Sequence, residues 1–128
     1  MKIDPILAVN DVEKSAQWYQ SVFDWKSIHG GKTFDVLTDQ EGEVMLCLHK
    51  WGEHDHPSMI SPGLSVGNGL ILYFRTSKID EIRKNITELA YAVDAEIDLN
   101  PNSGMKEFSL KDVDGYSLII SEYHEYQG

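Results

Sequence analysis

The chain carries a single cysteine, Cys47, among 128 residues, so it can form no internal disulfide. That excludes the stapled scaffolds of small secreted domains and fits a reducing cytoplasm. Cys47 lies in an apolar stretch and reads as a small buried hydrophobe rather than a nucleophile. Bases are scarce as well: 11 Lys and Arg stand against 21 Asp and Glu, a net charge of −10. Phosphate neutralisation needs clustered bases, which argues against a nucleic-acid partner. Solubility accounts for the acidic balance, and a cationic small ligand is compatible with it. No apolar run approaches a membrane span. The start, Met1 to Asp11, has neither the charged opening nor the cleavage site of a secretory leader. The expectation is a soluble, cytoplasmic protein with no membrane partner. Two other absences narrow the chemistry: no Gly-rich segment suits a phosphate cradle, and no serine sits in a nucleophile elbow.

What is present is one domain's worth of chain with a 41% hydrophobic fraction, long enough to bury a core without metal or disulfide. It states one plan twice. Residues 3–49 and 69–122 each read as a strand, an amphipathic helix and then strands joined by tight turns, with 50–68 as connector. In the first half, Ile3 to Val9 suits a strand buried on both faces. Asn10 and Asp11 supply capping oxygens, with Glu13 completing a capping box on Asn10. Val12, Ser15, Ala16, Tyr19, Val22 and Phe23 recur at helical spacing up to Asp24. Strands follow at Trp25 to Ile28, Thr33 to Thr38 and Glu43 to His49, with Gly30-Gly31 as a hairpin signal. Along the last of these, Val44, Leu46 and Leu48 alternate with Met45, Cys47 and His49.

In the second half, Leu70 to Arg75 reads as a strand. Ser77 is placed to cap a helix with Asp80 at its third position and a stripe of Ile79, Ile82, Ile86, Leu89 and Ala90. Strands at Val93 to Leu99, Glu107 to Lys111 and Tyr116 to Glu122 complete the plan. Asp112 and Asp114 flank a turn and are expected to organise its backbone rather than catalyse. The connector breaks into Gly, Pro and Ser and gathers His49, Trp51, Glu53, His54, Asp55 and His56. Three imidazoles and two carboxylates so close suit a metal site or a general-base cluster, but a solvated, turning loop is the favoured reading. The sharper alternative is that His49 and Trp51 line a pocket mouth, where the indole stacks on a flat or cationic ligand.

Two phrases at the ends of this doubled plan carry a resemblance. The first is Val9-Asn10-Asp11-Val12-Glu13-Lys14-Ser15 leading to Trp18-Tyr19; the second is Phe108-Ser109-Leu110-Lys111-Asp112-Val113-Asp114-Gly115-Tyr116. They resemble the vicinal oxygen chelate superfamily of glyoxalases, extradiol dioxygenases and bleomycin-resistance-type proteins, with Val113 in place of the usual proline. The resemblance spans nearly the whole chain. It implies an α+β fold of two βαβββ modules forming an open, cupped mixed sheet, a ligand site in the cup, and a homodimer.

Enzymes of that superfamily hold a divalent metal through His, Glu or Gln on four strands. The resemblance places Asp4, Leu46, Leu70 and Ile119 at those positions. One carboxylate and three aliphatic side chains cannot hold a catalytic ion, so neither metal nor other cofactor is expected. The expected site is an apolar cavity with a carboxylate anchor: Asp4, Ile6, Leu46, Leu48, His49, Trp51, Leu70, Leu72, Tyr116 and Ile119. Its expected partner is a small organic compound, planar or cationic, sequestered as by a bleomycin-resistance-type protein. Two alternatives stay open. One is an enzyme, metal-dependent with its ligands elsewhere or metal-free with Asp4 or His49 as base. The other is a dimeric interaction module with a filled core.

Overall fold

The computed structural model describes residues 2–53, 59, 67 and 70–125. The chain divides into two compact units, Met1–Val66 and Gly67–Gly128. Each is a βαβββ module built on an open four-stranded mixed sheet, so the fold is α+β. Among the described residues no helix is long and apolar enough to cross a membrane.

The first unit runs β1 (Ile6–Val9), α1 (Val12–Phe23), β2 (Lys26–Ser27), β3 (Phe34–Thr38) and β4 (Val44–Lys50), in sheet order β1-β4-β3-β2. The β1–β4 pair is parallel and the other two are antiparallel. β1 is shorter than expected. Pro5 precedes it, and Ile3 is 85% exposed, so only Leu7, Ala8 and Val9 are buried. The helix is capped by Asp11 rather than by an Asn10–Glu13 box. Asp11 is extended at φ −137°, and its Oδ1 accepts from the Lys14 amide at 3.0 Å. β2 is also shorter than expected. Trp25 leaves it for an aromatic stack, lying 4.8 Å from Phe23 and 5.6 Å from Tyr19 between ring centroids.

The second unit runs β5 (Ile71–Thr76), α2 (Ile79–Glu88), β6 (Ala95–Leu99), β7 (Lys106–Lys111) and β8 (Ser117–Glu122), ordered β5-β8-β7-β6. Here β5 and β8 are parallel. Lys78, not Ser77, occupies the cap position of α2 and makes no side-chain cap bond. Instead the Thr76 hydroxyl accepts from the Lys78 amide at 3.0 Å. The apolar stripe also stops short: Ile79, Ile82 and Ile86 are buried, while Leu89 and Ala90 are exposed. The reason is a left-handed Ala90, φ 60°, which ends the helix. Ala90 and Tyr91 amides then return to the Thr87 and Ile86 carbonyls, satisfying two terminal acceptors.

Candidate functional site

Residues directly opposite one another in a sheet project to the same side, so the strand registers assign every side chain to a face. In the first sheet, Leu7 and Val9 share a face with Leu48, Leu46, Asp35 and Leu37. All six are 3% exposed or less, and this is the face that takes the buried stripe of α1. The opposite, helix-free face carries Ile6, Ala8, Cys47, His49, Phe34 and Val36. Ala8, Cys47 and His49 are buried there, while Ile6 is half exposed. The Phe34 ring stands edge-on to His49 at 6.4 Å and to His29 at 5.3 Å. His49 Nδ1 lies 2.8 Å from the Lys50 carbonyl, which can only accept. In that contact Nδ1 is therefore the donor.

The second sheet is sided in the same way. Leu72, Phe74, Leu118, Ile120, Phe108 and Leu110 share one face, and Arg83 of α2 lies over the Phe108 ring at 5.9 Å. The helix-free face is more polar: Ile71, Tyr73 and Arg75 on β5, Ser117, Ile119 and Ser121 on β8, and Glu107, Ser109 and Lys111 on β7.

These registers sort the expected site residues. Ile6 and His49 lie on the helix-free face of the first sheet, and Ile119 on that of the second. Leu46 and Leu48 do not join them; their side chains turn to α1 and complete the core. Leu72 likewise faces α2, opposite in sense to Ile119. Leu70 precedes β5 and is 41% exposed. Tyr116 is buried, with its ring so close to Gly67 that a Cβ there would fall 2.7 Å from it. Trp51 is half-buried just after β4, its amide donating to the Val9 carbonyl at 3.1 Å. Asp4 is exposed ahead of β1, near enough to Cys47 to affect its thiol. Burial first, then the negative fields of Asp4 and Asp35, push that thiol's pKa up, which suits an inert residue. His54 and His56 lie outside the described residues.

Asp112 does organise its turn: Oδ1 accepts from the Asp114 and Tyr116 amides, both at 2.9 Å. Sequence reasoning passed over Phe34, Val36, Tyr73, Arg75, Glu107 and Ser121 as face residues. In β4, apolar side chains fill both parities, so periodicity could not choose between them. Strict alternation in Glu107 to Lys111 was the available signal for Glu107.

The donor set can be tested against the metal of the vicinal oxygen chelate enzymes. Leu46, Leu70 and Ile119 offer no lone pair, and Leu46 faces the core. Shifting each strand by one residue brings Cys47 on β4 but only Ile71 on β5 and Leu118 or Ile120 on β8. These residues do not fit a divalent ion. Among the described residues no group of three or more His, Cys, Asp or Glu is arranged to share one.

The decisive comparison is with family models: that of the Glyoxalase/Bleomycin resistance protein/Dioxygenase superfamily matches residues 2–120. The chain belongs to this superfamily. Solved structures of the same fold include TioX from Micromonospora sp. ML1, 16% identical, with 96% of this chain and 100% of that one covered at a TM-score of 0.74. An integron cassette protein from V. cholerae is 21% identical, covering 97% and 98% at 0.70. A lactoylglutathione lyase from Agrobacterium tumefaciens is 20% identical, covering 95% and 92% at 0.68. At such identities these likenesses concern the fold alone. No curated protein matches the sequence.

Proposed function

We propose that this superfamily member is a small-molecule-binding protein that grips a planar organic ligand without a resident divalent metal. The observation that carries the reading is the chemistry of the helix-free face of the first sheet. Ile6, Ala8, Cys47, Phe34 and Val36 make it apolar, and His49 supplies one oriented imidazole. Apolar walls with few placed polar groups are what a small organic ligand needs. In this reading Trp51, just after β4, offers a stacking surface and Asp4, ahead of β1, a carboxylate. Bleomycin-resistance-type sequestration agrees with such a surface and with the acidic balance of the chain. The proposed binding unit is a homodimer.

Tryptophan fluorescence titration against planar cations and uncharged aromatics, bleomycin among them, tests the reading. Saturable quenching by at least one compound is expected; a flat response to every compound contradicts it. A second reading draws on His49 alone. Its imidazole is placed on the face by β4 and oriented by the Nδ1 hydrogen bond to the Lys50 carbonyl, and imidazole is a common general base. Turnover of lactoylglutathione or catechol above blank, abolished by His49→Gln, would favour that reading over sequestration.

A further inference from the structure

We infer that Glu107 anchors a positively charged group, an ammonium or a protonated ring nitrogen, of a small compound held on the helix-free face of the second sheet itself. The inference rests on the chain being a small-molecule binder, needs no contribution from the first sheet, and names the class of compound. The registers set Glu107 in a row that crosses all four strands: Arg75 on β5, Ser121 on β8, Glu107 on β7 and Asp98 on β6. Within that row Glu107 is half-served. Its Oε1 accepts from Asn100 Nδ2 at 2.9 Å, while Oε2 is withdrawn from solvent with no donor from any described residue.

The neighbours able to serve that oxygen are directed elsewhere. The Ser121 hydroxyl donates to the Glu122 carbonyl at 3.1 Å. Arg75 Nη1 donates to the His124 carbonyl at 2.6 Å and pairs with Glu125 at 3.7 Å. A carboxylate oxygen removed from water without a donor is costly, and such groups in folded proteins call for an explanation. A cation with N–H donors both neutralises the group and fills the missing bond. Access needs a partial turn about the last torsion of the glutamate side chain, whose preference is broad. The carboxylate can turn one oxygen outward while the other keeps Asn100. Ser109, two residues along the same face of β7, adds a hydroxyl near it. Asp98 carries the same charge in the same row, but it is exposed on the edge strand, where water already serves it.

The test uses proflavine, a planar cation, and acridine, its ring system, in weakly alkaline buffer where acridine is uncharged. Calorimetric titration of the full chain is expected to give tighter binding of proflavine by roughly tenfold, the scale of one hydrogen bond to a charged group. Glu107→Gln should collapse that preference and leave acridine affinity unchanged, whereas Asp98→Asn should preserve it. Glu107→Asp, which keeps the charge but withdraws it by one methylene, should fall between; it also serves should the glutamine variant fail to fold. If Glu107→Gln keeps the preference, or Asp98→Asn erodes it equally, the anchor is wrong and only net charge attracts cations. If neither compound binds the unaltered protein, the binding reading falls and this inference falls with it.

Discussion

Asp35 is the side chain on which the first hairpin turns. It is 2% exposed, yet Oδ2 accepts from the Ser27 hydroxyl at 2.6 Å, and Oδ1 from the Gly30 and Val36 amides, both at 2.8 Å. Removing it strands three donors in or near the core. Asp35→Ala should therefore lower stability by about 2–3 kcal/mol in urea unfolding, the cost of unmade bonds to a charged group. Arg83 and Glu96 form the other well-built pair, with Nε–Oε2 at 3.1 Å and Nη2–Oε1 at 2.6 Å. The hydrogen bond from Arg83 is the main cause holding the Glu96 carboxyl below its ordinary pKa. A depressed folded-state value means its stabilisation is present above the ordinary carboxylate range and is lost as pH falls through that lowered value. In Arg83→Gln, NMR titration should find the Glu96 midpoint moved upward. The stability difference between the two proteins should then vanish in strong acid.

Elements were legible from the sequence in kind more than in extent. Both helices, both glycine- or aspartate-marked turns and all eight strands fall where periodicity and turn residues put them, but their ends shift. Pro5 trims β1, Trp25 quits β2 for the Tyr19–Phe23 stack, and Ala90 ends α2 while the apolar spacing still runs on. Ala90 is a residue that pays a steric penalty in the left-handed region. Ala90→Gly should raise stability by about 1 kcal/mol, read as an increased urea midpoint. Faces were the harder problem. Leu46, Leu48 and Cys47 are equally apolar, so only the register to β1 and β3 separates core from helix-free face. That separation predicts opposite phenotypes for adjacent residues. Leu48→Ala should cost about 2–5 kcal/mol of stability with ligand affinity kept in the folded fraction. His49→Ala should weaken ligand binding in a fluorescence titration with a smaller loss of stability.

At the scale of the whole molecule, the doubled plan proved the most readable feature, because each module repeats the same strand–helix–meander order. The modules are alike in topology and unlike in chemistry. One helix-free face is apolar with a single imidazole, and the other carries Arg75, Glu107 and three serines. The four positions that the resemblance matches to the ion's ligands in vicinal oxygen chelate enzymes, Asp4, Leu46, Leu70 and Ile119, carry no chelating set, and on the proposed reading this favours sequestration over metal chemistry. Equilibrium dialysis of the purified chain against Fe, Ni, Mn and Zn salts, each read by elemental analysis, tests that claim most directly. No saturable uptake of any of them is predicted; one equivalent of ion retained per chain would contradict the account.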